Sequence, residues 1–178
     1  MAVTNKNEMI LGRKFDPKTC RHSMNGRVQV LHCHHYATLY TQLADDCGML
    51  DGARLLADVA EDTFYDSLTN YYKQHNVTEL ADRISLAEQS YSVAGLGQIK
   101  ITCASPDSGE AELTHSHIDQ GWIAKWGKRD KPVNFITCGY ISGLFSAIFD
   151  KPRRSYSVFE TQSIVSGAET SRFEAVGK

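Results

Sequence analysis

Four of the seven histidines stand in two His-x-His pairs, and these are the first residues to consider for chemistry. His32 and His34 lie within His32-Cys33-His34-His35, while His115 and His117 flank Ser116. In an extended strand, residues two apart point the same way with side chains about 7 Å apart, so each pair can offer two imidazoles to one ion. Read as a strand, RVQVLHCH carries the face of Val28 and Val30 on through His32 and His34. EAELTH does the same from Ala111 and Leu113 to His115. An imidazole on an apolar face is costly without a partner. Either a carbonyl or carboxylate satisfies each one, or the pairs converge on a metal, for which imidazole-rich ligation suits zinc or iron, with copper and nickel as further options. Glu110 and Glu112 alternate to the other face and are not expected as ligands. An open coordination position on such a metal would make the chain a metal-dependent enzyme, which is the alternative function.

Cys33 falls on the opposite strand face from His32 and His34. A thiolate among imidazoles would be activated; an inert buried cysteine is the other reading. Cys20 and His22, two apart on the facing strand, are candidates to join the cluster, whereas Cys47 and Cys103 read as core and Cys138 as packing. Tyr36, Tyr40, Trp122, Phe135 and Tyr140 form a second candidate site, for an apolar or aromatic ligand. Ligand pockets are largely apolar with a few orienting polar groups, and tyrosine supplies both. The same aromatics at helical spacing also serve as plain core. GLG at 95–97 lacks the further glycine and helix of a phosphate-binding loop, and neither a nucleophile elbow nor a paired-cysteine zinc motif is present.

The element expected to hold these groups in place is the run PVNFITCGYISGLFSAIFD at 132–150. It carries no charge from Val133 to Phe149 and is apolar on almost every face, which predicts a helix surrounded by protein. Pro132 suits a first helical turn. The run falls short of the ~20 apolar residues of a bilayer span and is diluted by Asn134, Thr137, Ser142 and Ser146. Gly139 and Gly143 share a face that admits another backbone, so a second copy docking there, with no ligand involved, is a third reading.

Around that helix the period alternates. Asn25-Gly26 predicts a hairpin between TCRHSM and RVQVLHCH, preceded by a strand at MILGRKFD. Helical spacing begins near Tyr36, stops at Gly48, and resumes from about Asp51 to Gln74 with Leu56, Ala60, Phe64, Leu68 and Tyr72 as one stripe. Asn76 with Glu79 resembles a capping box for a helix near 80–91. QIKITCAS and EAELTH form a hairpin across PDSG, SHIDQGWIAKWG a short amphipathic helix, and two strands at RRSYSVFETQSIVS and TSRFEAV close the chain. This order predicts an α+β domain, a twisted antiparallel sheet with helices packed on one face.

With 178 residues, the chain is most simply one domain over 1–178, able to bury a sizeable core unaided. A net charge of −2 offers no footprint for nucleic acid, and the basic cluster at 151–154 reads as a solvated turn. Five cysteines without paired spacing suggest reduced thiols, and no basic start leads into an apolar run, so a cytoplasmic protein without signal peptide or membrane span is expected.

The run GYISGLFSAIFDKP, then YSVFET, then a glycine and SRFEAV, resembles the 4-vinyl-reductase domain, a small-molecule or hydrocarbon-binding family related in fold to TRAPP vesicle-tethering subunits. GLGQIKIT, SGEAEL and the helix around Trp122 fit the same layout, so the resemblance covers about residues 95–176. It implies a TRAPP-subunit-like fold, a buried apolar pocket, pairing of copies into a homodimer, and a role in sensing or ligand delivery. Many members carry a cysteine after the glutamate of the penultimate strand and another after the following glycine; those positions are Ser163 and Ser171 here. The leading expectation is a domain holding an apolar or aromatic molecule between the sheet and the central helix, with a histidine-bound metal at one end.

Overall fold

A computed structural model describes residues 8–30 and 33–178. The chain begins with three short strands, β1 (Arg13–Asp16), β2 (Arg21–Met24) and β3 (Arg27–Gln29), paired in that order into a small antiparallel sheet. Asn25 and Gly26 make the β2–β3 turn with φ of 49° and 80°, the left-handed pair that a two-residue hairpin requires. This sheet stands apart from the main one, where a single sheet was expected.

β3 ends at Gln29, and His34 opens helix α1 (His34–Asp46), so His34 does not share a strand face with Val28 and Val30. Helical spacing reaches two residues further upstream than Tyr36, with Cys33 as the extended N-cap. A single 3₁₀ turn at Gly48–Leu50 leads into α2 (Gly52–His75). Its stripe is inward as read: Ala60, Leu68 and Tyr72 are buried, and Leu56 and Phe64 half-buried. Asn76 is the left-handed C-cap of α2 rather than a capping-box residue, and Glu79 is the N-cap of α3 (Leu80–Val93).

The main sheet follows: β4 (Gly97–Ala104), β5 (Ser108–Ser116), β6 (Tyr156–Gln162) and β7 (Ser171–Gly177), antiparallel in the order β4-β5-β7-β6. Helices α4 (His117–Trp126) and α5 (Phe135–Ile148) lie between β5 and β6 in the chain. The uncharged run forms α5, with Asn134 as N-cap and Pro132 left upstream. From Gly139 to Ile148 every residue of it is buried. One side packs on the sheet through Leu144 and Phe145 against Ile99, Ala111, Leu113 and Phe173. The glycine side packs on α2: a Cβ at Gly139 would collide with the Ala57 backbone, and one at Gly143 would crowd Glu61 and Tyr65. The small-residue face is therefore closed within the chain, and docking of a second copy on Gly139 and Gly143 is ruled out.

A β-bulge corrects a second expectation. Ile99 pairs with Leu113 but Gln98 with His115, so Thr114 is an extra residue in β5. Thr114 and His115 are both exposed and Ser116 turns inward, which takes His115 off the apolar face. Cys103 beside the second bulge, between Ile101 and Cys103, is exposed, as is Cys47 at the C-cap of α1; neither is core.

Candidate functional site

The two histidine groups do meet, but through helix starts. His34 and His117 are the first residues of α1 and α4, and their rings stand edge to face with centroids 6.0 Å apart. His35 stacks on His34 at 4.4 Å, and Cys33 Sγ lies 3.7 Å from His35 Nδ1. Gly121 permits the approach, since a Cβ there would come within 2.9 Å of His34 Cβ and Thr38 Cγ2. His115 is exposed, and its Nδ1 meets Thr114 Oγ1 at 3.2 Å. His32 lies outside the described residues. Among the described residues no three His, Cys, Asp or Glu side chains gather as a metal centre. Two helix N-termini converge at this corner, and their positive ends favour an anion over a cation. Cys20 and His22 sit on the hairpin, where His22 packs on Phe15 at 4.7 Å.

The aromatic set divides. Tyr140 is fully buried at the centre of a triad, its ring edge-on to Phe64 at 4.6 Å and to Tyr91 at 4.7 Å. Tyr140 Oη donates to the carbonyl of Ala87, and Tyr91 Oη pairs with Thr137 Oγ1 at 2.9 Å. Burial pushes both phenols up, so they stay neutral. Trp122 belongs to a separate small cluster with Ala37, Ile118, Val133 and Val165, under the Arg129 guanidinium. Phe135 is half-buried, whereas Tyr36 and Tyr40 are 53% and 49% exposed on the outer side of α1. These five residues are not one lining.

A cleft of about 450 Å³ opens instead between the hairpin, α2 and α3. Met9, Met24, Phe64, Leu68, Tyr71 and Leu96 supply its apolar walls, and Arg27, Gln29, Asn70 and Gln74 its polar groups. Phe64 is shared with the buried triad, so the cleft reaches the aromatic core. Among the described residues, three hydrogen bonds and the Arg27–Asp66 ion pair at 3.9 Å tie the hairpin side to α2 and α3. Arg27 Nη1 donates to the Thr63 carbonyl at 2.8 Å, Met9 N to Gln89 Oε1 at 2.8 Å, and Ile10 N to Tyr71 Oη at 2.8 Å. Sequence periodicity could not reveal this cleft, because its walls come from three elements distant in the chain.

A buried polar junction was also missed. Asn134 Nδ2 donates to Asp119 Oδ2 at 2.9 Å and to Glu160 Oε1 at 2.8 Å, tying α4 and α5 to β6. Ser171 Oγ donates to Asp119 Oδ2 at 3.3 Å and accepts from Ile164 N at 2.9 Å. Desolvation raises both carboxyl groups above their ordinary range, against the lowering effect of these hydrogen bonds. Asp119 Oδ1 and Ser163 Oγ are buried without a hydrogen-bond partner among the described residues. The one available signal was Ser116-x-x-Asp119, a capping pattern, and Ser116 Oγ does accept from Asp119 N at 3.0 Å. Serine hydroxyls stand where the resembling family has thiols, so this junction does not fit a thiolate-bound metal or a redox pair.

An antiparallel four-stranded sheet with one face covered by a buried helix, itself backed by the long helix α2, defines the TRAPP-subunit-like α+β class. Solved structures share it. The phenol-responsive sensory domain of the transcription activator PoxR, determined with phenol, matches with a TM-score of 0.77 at 14% identity over 93% of this chain and 84% of that one. Trafficking protein particle complex subunit 3 from Naegleria fowleri, covalently bound to palmitic acid, matches with a TM-score of 0.51 at 10% identity over 82% of this chain and 95% of that one. No family model and no curated protein matches the chain. No helix among the described residues is long and apolar enough to cross a membrane.

Proposed function

We propose that this chain is a small-molecule-binding domain of the sensory kind, and that it takes a small aromatic or apolar ligand in the cleft between the hairpin and α2–α3. The carrying observation is the cleft itself, about 450 Å³ with apolar walls and a few polar groups. That size lies within the ~300–1,000 Å³ of ligand sites. The likeness to a phenol-responsive domain across 93% of the chain supports an aromatic ligand of modest size. Phe64 and Tyr71 offer ring faces and edges, while Asn70, Gln74 and Arg27 can orient a hydroxyl. The small exposed hairpin is the natural point of entry, since displacing it breaks few bonds.

Calorimetric titration with phenol tests this reading. Saturable binding is expected, with loss of binding in Ser67→Trp, which fills the cleft from α2. Absence of saturable binding by phenol and its methylated analogues would overturn the reading. Unchanged binding in a folded Ser67→Trp variant would overturn the choice of cleft.

A further inference from the structure

The cleft between the hairpin, α2 and α3 carries a charge pattern that its apolar walls do not explain. The chain has 21 Asp and Glu against 19 Lys and Arg, yet no aspartate or glutamate lines the cleft among the described residues. The one charged lining residue among them is Arg27 of β3. An adjoining hollow of about 500 Å³ shares Met24, Gln29 and Val30 with the cleft. Its charged residues are Arg13 and Lys14, with His22 beside them, again without a carboxylate among the described residues. A hollow lined by one sign of charge favours an occupant of the other.

Arg27 is anchored but not saturated. Its Nη1 donates to the Thr63 carbonyl at 2.8 Å, a neutral acceptor that fixes the guanidinium against α2. One Asp66 oxygen stands 3.9 Å from Nη2, outside hydrogen-bond length, and the other is bonded by Arg153 Nη2. One carboxylate thus answers two guanidinium groups. An arginine presents five N–H donors, and the half-buried Arg27 spends one of them on an acceptor among the described residues. Thr63, Phe64, Ser67 and Tyr71 line the cleft from α2, so the charge is tied to the wall that carries the two rings.

We propose, on the reading that this cleft is the ligand site, that its occupant is an aromatic carboxylate of the benzoate kind. The ring lies against Phe64 and Tyr71 and the carboxylate on Arg27. A carboxylate accepts two parallel N–H bonds from a guanidinium and matches its charge, so it compensates Arg27 when the ligand excludes water. A hydrocarbon in the same place would desolvate the guanidinium without supplying a counter-charge, which is costly. A phenol hydroxyl is served by Asn70 or Gln74 and leaves the charge of Arg27 unmatched. The apolar walls of Met9, Met24, Leu68 and Leu96 select a compact monoanion with an apolar body over a phosphate ester.

Calorimetric titration of the full chain at neutral pH with benzoate, benzamide and phenol tests the assignment. Benzamide has the shape of benzoate without its charge. Benzoate should bind about tenfold tighter than either neutral compound, the advantage of a charge-assisted pair over a neutral one. High salt should shrink that margin, because Arg27 is partly exposed. Arg27→Gln should erase it, weakening benzoate about tenfold while changing benzamide and phenol less than about threefold. The comparison on the wild-type chain holds whether or not that variant folds. Benzamide or phenol binding as tightly as benzoate, or a margin that survives in folded Arg27→Gln, would overturn the inference and leave the cleft reading standing. No saturable binding by any of the three would overturn the cleft reading with it.

Discussion

Asp119 is fully buried on the first turn of α4, with one oxygen bonded to Asn134 and Ser171 and the other without a partner. Burial outweighs those hydrogen bonds, and its carboxyl group titrates above the ordinary value of 3.8; Glu160, bridged to it by Asn134, titrates above 4.5 for the same reason. The sign for stability follows. Between the ordinary values and the raised ones, the folded chain holds protons that the unfolded chain has released, so stability falls as pH rises. The contribution is fully present below about pH 4. It is lost as pH climbs through the raised values. Melting temperature should therefore decline from pH 4 toward neutrality, and Asp119→Asn should flatten that slope. Thermal denaturation across the pH series checks it; a melting temperature that rises over this range would contradict the assignment. Little of the junction was legible beforehand. Ser116 and Asp119 carried a local capping signal, but Asn134, Glu160 and Ser171 meet them only through pairings 15 to 52 residues apart in sequence.

Among the elements, α5 and its glycine face matter most. Composition alone identified a buried helix, because an uncharged run of that length has no side to show to water. It did not say which neighbour would use Gly139 and Gly143. That neighbour is α2, whose Ala57 backbone leaves no room for a side chain at Gly139. Gly139→Val should destabilise the fold by about 3 kcal/mol or more, since an inserted branched side chain forces two packed helices apart. Gly95→Ala, at a position with open space but a φ of 77°, should cost about 1 kcal/mol through backbone strain alone. Chemical denaturation of the two variants compares the effects. Similar losses would show that α2 and α5 are not in close backbone contact. The strand carrying His115 shows the opposite limit: its period was read correctly to Leu113, but one extra residue at Thr114 reversed every side chain after it.

At the scale of the whole molecule, two bodies of unequal strength share the chain. The main sheet with α2, α3 and α5 encloses one large core, whereas the three-stranded sheet is exposed along nearly its whole length and is tied to α2 and α3 by a few hydrogen bonds. Amide exchange should be slowest in α5, β5 and β7 and fastest in β1–β3, where local opening costs least. Phenol at 100 times its dissociation constant should raise the unfolding free energy by about 2.7 kcal/mol. The same addition should slow exchange on β2 and β3 selectively, because the hairpin forms one wall of the cleft. Protection gained elsewhere, with the hairpin unchanged, would place the ligand in another part of the fold.

Local chemistry written along the chain determined the α+β character, the Asn25-Gly26 turn, the inward stripe of α2 and the buried α5. Each depends on spacing or on a backbone conformation that a few neighbouring residues impose. Tertiary structure alone decided that His34 and His117 meet at helix starts, that His115 faces solvent, and that α2 closes the glycine face. It also opened a cleft between the hairpin, α2 and α3. The physical reason is one of range. Periodicity says which side of an element is apolar, but which surface covers that side depends on register, bulges and the close approach of backbones far apart in sequence.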